Sequence, residues 1–141
     1  MRRKQKGDKN MSHCLYFVLI EKNEAENSQQ ARECGINELN KNGFVHDDKY
    51  FRWGHCDWFV VGGRWSKILS GKNENPTKDP YLTIGHEDDA MILTKELLEN
   101  LKEKYGTVEC FMASDTYELE VNEIEESHID NYWIVVIDYH C

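Results

Sequence analysis

The chain has 141 residues, with 40% hydrophobic and 30% charged side chains. That is enough for one packed domain, too short for two comfortable cores, and too apolar for wholesale disorder. No apolar run approaches the roughly 20 residues that span a bilayer, which excludes a transmembrane protein. The formal net charge is −9. Residues 1–10 carry a local net of +4, so the rest of the chain stands at −13. A body this acidic repels a phosphate backbone, and general nucleic-acid binding is not expected.

Residues 1–10 read as a basic, disordered N-terminal extension, and 11–141 as a single α+β domain. The run Cys14-Leu15-Tyr16-Phe17-Val18-Leu19-Ile20 predicts a strand buried on both faces. Glu21 and Lys22 follow it at once, with no small-residue cleavage site, so it is not a signal peptide and a cytoplasmic location is expected. Asn27, with Gln30 three residues on, predicts a helix start. Ala31, Gly35 and Leu39 continue that helix to about Asn42, where Gly43 ends it. Gly35 inside it suggests close packing by another element.

Asp57 to Val61 predicts a second strand, stopped by Gly62-Gly63. Residues 64–87 form a long loop, and long loops in compact domains commonly serve as lids or binding loops. Ala90 to Leu93 predicts a third strand. Thr94 caps a second helix with Leu97, Leu98, Leu101 and Tyr105 on one face. Strands follow at 108–111 and 117–121, and Tyr132 to Ile137 is the strongest strand signal. Two β-α-β units with an added C-terminal strand suggest a ferredoxin-like split β-α-β two-layer sandwich. Both helices would then share one sheet face, and a homo-oligomer would cover the other.

Chemistry concentrates in Asp57-Trp58-Phe59-Val60-Val61-Gly62-Gly63-Arg64-Trp65-Ser66. Two glycines after a strand permit positive φ, and their N–H groups suit an anion. Arg64 offers a planar guanidinium fork for phosphate or carboxylate, Ser66 and Lys67 add donors, and Trp53, Trp58 and Trp65 offer stacking faces. The expected function is therefore non-enzymatic binding of a small anionic, nucleotide-like ligand, with 67–87 as a lid. This stretch, together with 87–94 and 133–140, resembles a mostly uncharacterised family of small bacterial and phage proteins. The resemblance implies a phage or prophage context, in which such a binder would sequester a host signalling nucleotide.

Two other readings stand beside this one. His86 and Asp88, with Asp57, are weak candidates for a Mg²⁺ or Mn²⁺ site in a metal-dependent phosphodiesterase or hydrolase. The stretch from Tyr105 to Cys141 has no Lys or Arg and nine Asp or Glu, which suits an acidic protein-interaction or inhibitor module. No cofactor is expected. The five cysteines are scattered with no C-x-x-C, and read as free thiols. His140 and Cys141 read as mobile or edge residues at the end of the chain.

Overall fold

The computed structural model describes residues 13–45, 56, 58–73 and 84–140. The basic tail, Trp53, Asp57, Cys141 and the middle of the 64–87 loop lie outside them. Strand β1 spans His13–Glu21, and helix α1 spans Ser28–Lys41. Asn27 caps α1 by accepting the Gln30 N–H at 2.9 Å. Gln30 returns a bond to the N–H of Glu26 at 2.8 Å, one residue before the cap itself. Strands β2 (Trp58–Val61) and β3 (Ala90–Ile92) flank the long loop. Helix α2 (Lys95–Tyr105) starts where Thr94 Oγ1 accepts the Leu97 N–H. Strands β4 (Glu109–Met112), β5 (Tyr117–Glu120) and β6 (Tyr132–His140) complete the chain.

The sheet is mixed and six-stranded, and β6 organises it. Antiparallel β1 pairs with β6 along its whole length, from His13↔His140 to Glu21↔Tyr132. On its other side, β1 runs parallel to β4, which pairs antiparallel with β5. The far edge of β6 holds β2 against its C-terminal half and β3 against its N-terminal half. Val61 is opposite Ile137, the Gly62 N–H donates to the Val136 carbonyl at 2.8 Å, and Ala90 is opposite Val135. The two segments are therefore halves of one edge strand, interrupted by an excursion over residues 63–89. Sequence patterning separates them because nothing local records that both halves meet the same distant partner.

The helices lie on opposite faces. Phe17, Leu19, Ile134 and Val136 pack with Leu97, Leu98 and Leu101 of α2. The alternate residues Val18, Ile20, Val135 and Ile137 pack with Ala31 and Leu39 of α1. This corrects the ferredoxin-like expectation, in which both helices share one face. The physical reason is the direction of the crossovers. Between parallel strands they are nearly always right-handed. The β1–α1–β2 connection crosses the sheet one way and β3–α2–β4 returns the other way, so the two helices fall on opposite sides. Each face of the sheet therefore carries one helix. Each buried aliphatic side chain in these layers contributes about 1.5–3 kcal/mol.

Close approach accounts for Gly35, where a Cβ would stand 3.3 Å from Val135 Cγ1 on β6. Among the described residues no helix is long and apolar enough to cross a membrane.

Candidate functional site

The Gly62-Gly63 turn begins the excursion, and its surroundings are the chain's own carboxylates. Gly62 has φ +78° and Gly63 has φ +54°. A Cβ on Gly62 would overlap Asp89 Oδ2, and one on Gly63 would overlap Asp138 Oδ2. Both positions thus need glycine twice over, for the backbone conformation and for the space.

Asp89 is 0% exposed and closes the neck of the excursion. It accepts from Ser66 Oγ at 2.9 Å, from the Lys67 N–H at 2.7 Å and from the His86 N–H at 2.8 Å. Arg32 of α1 donates to the carbonyls of Ile84 and Gly85, and Ser28 Oγ donates to the Glu87 carbonyl. The returning limb is therefore tied to α1, and the outgoing limb is tied to Asp89. Leu69 is buried beneath the outgoing limb, with Trp65 and Ile68 packed beside it on the α2 face.

These contacts relocate the expected anion cradle. Backbone N–H groups do meet carboxylates here, but they are those of Arg64, Lys67 and His86, the carboxylates are internal, and the Gly62 N–H donates to the Val136 carbonyl. Gly62, Gly63 and Ser66 are buried in this turn, and Lys67 is half-buried with its N–H on Asp89. Trp65 is half-buried in the core, not displayed as a stacking face. Arg64 is exposed, and only its backbone joins the network, donating to Asp138 at 2.8 Å. Trp53 and Asp57 lie outside the described residues. His86 and Asp88 are half-buried. Among the described residues, no three His, Cys, Asp or Glu side chains stand together as a metal site.

A different cluster stands at the end of the sheet. Register places Trp58, His140 and His13 side by side across β2, β6 and β1. Trp58 lies flat on His140, with ring centres 5.0 Å apart and planes 6° from parallel. His13 stands edge-on to Trp58 at 6.0 Å and to His140 at 6.1 Å. Two residues inward on β6, on the same face, Asp138 is 2% exposed. Its two oxygens lie 3.0 and 3.1 Å from His13 Nδ1. A carboxylate accepts, so His13 Nδ1–H donates to Asp138. Trp58 stays 43% exposed although it is large and apolar.

His13, Asp138 and His140 are the residues that sequence reading missed. His140 is no frayed terminus, since it is paired on both sides within β6. The available signal was phase. Asp138 and His140 continue the alternation of Ile134 and Val136, so two polar side chains occupy the inward series of an otherwise apolar strand.

A second concavity lies at the other end of β1. It is a cleft of about 270 Å³ lined by Ile20, Glu21, Glu24, Cys34, Glu38, Ala113 and Ser114. Its three glutamates make it a poor place for an anion. Burial raises the Cys34 thiol above its ordinary value, and Glu24 and Glu38 raise it further. Comparison with known proteins finds no match to a family model, a curated protein or a solved structure.

Proposed function

We propose that the sheet end formed by Trp58, His13, His140 and Arg64 binds a small anionic, nucleotide-like ligand. The carrying observation is Trp58. A large aromatic ring is held rigidly by stacking on one face while much of its surface stays in solvent. Stacking of a base on such a ring contributes about 1–3 kcal/mol. Arg64 leaves the chain beside Asp138, and its exposed guanidinium supplies the fork for a phosphate. The acidic remainder of the chain favours a small ligand over a polynucleotide, whose many phosphates it repels.

Titration calorimetry with nucleoside mono- and diphosphates and dinucleotides tests this reading. Binding should be lost in Trp58→Ala and in Arg64→Ala while both variants keep the parent melting temperature. Binding that survives both substitutions would refute the site.

A further inference from the structure

We propose that the cleft at the other end of β1 binds a small aliphatic polyamine, with its ammonium groups on Glu21, Glu24 and Glu38 and its methylenes against Ile20 and Ala113. The inference concerns a second site and does not depend on the ligand reading above.

The argument begins with the place of the cleft in the fold. Strands β1 and β4 are parallel neighbours, and their carboxyl ends lie side by side, with Leu19 opposite Met112. The Ala113 N–H still reaches the Leu19 carbonyl at 3.2 Å. Past that bond the two chains part. β1 runs through Ile20 and Glu21 into a turn at Lys22–Glu24 and then into α1, whereas β4 turns back through Ala113 and Ser114 toward β5. The cleft opens where they separate. In sheets flanked by helices, the crevice outside the carboxyl ends of parallel strands is the common place for a ligand.

The lining combines two kinds of surface. Ile20 is buried and Ala113 packs against the same core, so both offer apolar contact. Cys34 and Glu38 lie four residues apart on one stripe of α1. Cys34 Sγ donates to the Glu24 carbonyl at 3.6 Å, which brings the turn against that stripe. Glu38 is 26% exposed, Glu21 is half-buried and Glu24 is exposed. The Cys34 thiol is held above its ordinary value by burial and then by Glu24 and Glu38, so it stays protonated and adds no charge of its own.

The groups present define the ligand. Three carboxylates around one cleft call for positive charge, and the acidic body of the protein raises the local concentration of cations. One ammonium already answers Glu38: Lys41 Nζ stands 3.3 Å from its Oε2, on a side chain that is 69% exposed. Size argues for an organic cation over a single ion. A water fills about 30 Å³ of liquid, so a cleft of about 270 Å³ has room for a chain of several heavy atoms. The apolar surface beside the carboxylates suits methylenes, which gain by leaving water.

Like charges gathered without a counter-ion oppose folding, and a bound cation relieves them. Removing one carboxylate should therefore raise the melting temperature of the free protein while weakening the ligand. A carboxylate with a purely structural role would lower the melting temperature instead.

The test uses the full chain at constant ionic strength, with spermidine as the probe in titration calorimetry. Spermidine should bind saturably, one per chain. Glu21→Gln, Glu24→Gln and Glu38→Gln should each weaken it by about 1.5–5-fold, the effect of a partly exposed ion pair. The triple variant should show no saturable heat. Lys41→Met removes the internal competitor for Glu38 and should tighten binding by a similar factor. Glu24→Gln, altered at an exposed position, should melt above the parent without spermidine and gain less from it. A lower melting temperature for this variant, or spermidine binding that survives in the triple variant, would overturn the site. N-acetyl-lysinamide binding as tightly as spermidine would overturn the polyamine class in favour of a lysine side chain. Magnesium chloride that saturates the cleft and displaces spermidine would overturn it in favour of a metal ion.

Discussion

Removing the Asp89 carboxylate should cost about 3–5 kcal/mol, the range for stranding the partners of a buried charge. The side chain is 0% exposed and accepts three hydrogen bonds, from Ser66 Oγ, the Lys67 N–H and the His86 N–H. Bonds to a charged acceptor are worth about 1.5–3 kcal/mol each. They share one acceptor, so they do not add in full. Lys67 and His86 are half-buried, and water recovers part of what they lose. Asp89→Ala should therefore consume a large part of a stability that for most domains totals about 5–15 kcal/mol. Asp89→Asn keeps one accepting oxygen but turns an NH₂ toward a donor, and should fall between parent and alanine. Asp89→Glu should not rescue, because Oδ2 already lies 2.7 Å from where a Gly85 Cβ would stand and the added methylene has no space. Urea denaturation at constant m measures each difference. A loss below about 1 kcal/mol for Asp89→Ala would refute the view that this carboxylate holds the neck of the excursion.

Three further outcomes follow from other parts of the molecule. Gly63→Ala combines positive φ, about 1–2 kcal/mol for a residue with a Cβ, with overlap on Asp138. It should destabilise by more than the strain alone and lower ligand affinity, whereas a melting temperature equal to the parent's would contradict the close approach. Tyr16 and Cys110 are buried, and burial first, then the nearby Glu118 and Glu109, raises both above their ordinary values. The folded state keeps protons that the unfolded chain releases, so their contribution is complete below about pH 9 and is lost as pH rises further, by about 1.4 kcal/mol per unit for each ionising group. Urea midpoints that stay flat up to about pH 11 would refute this. Glu109 and Glu120 sit directly opposite each other on β4 and β5. Glu120→Lys should therefore stabilise by about 0.2–1 kcal/mol at low salt and by less at high salt, which thermal melts at two salt concentrations will measure.

The local elements were legible because their causes are local. Cys14 to Ile20 announced a buried strand, Asn27 and Thr94 announced helix starts, and each does what its side chain dictates. What escaped depends on partners far along the chain. Val61 and Ala90 become neighbours on one edge only because β6, more than forty residues beyond Ala90, offers both halves a continuous ladder. The faces taken by α1 and α2 depend on that strand order, which no amphipathic pattern encodes. At the site, Trp58 and Arg64 were visible as unusual residues near a strand end, and both are exposed. Gly62 and Gly63 drew attention to this turn, but the pattern cannot show that Asp89 and Asp138 of the chain itself stand against the two glycines. His13 was invisible because its significance comes from Asp138, 125 residues away in sequence.

The interrupted edge strand also bears on how this architecture can change. Gly62 and Ala90 engage consecutive positions of β6, so the sheet continues across the break as though residues 63–89 were absent. The ends of the excursion are held together by the sheet and by Asp89, whatever lies between them. Doubling the length of a flexible closed loop costs only about 0.6 kcal/mol. Leu69 in the core and the Arg32 bonds to Ile84 and Gly85 tie both limbs to the frame, so length added between Asn73 and Ile84 is what stays nearly decoupled from the stability of the sheet. The domain behaves as a fixed frame with one interchangeable segment, free to acquire new recognition surfaces without a new core.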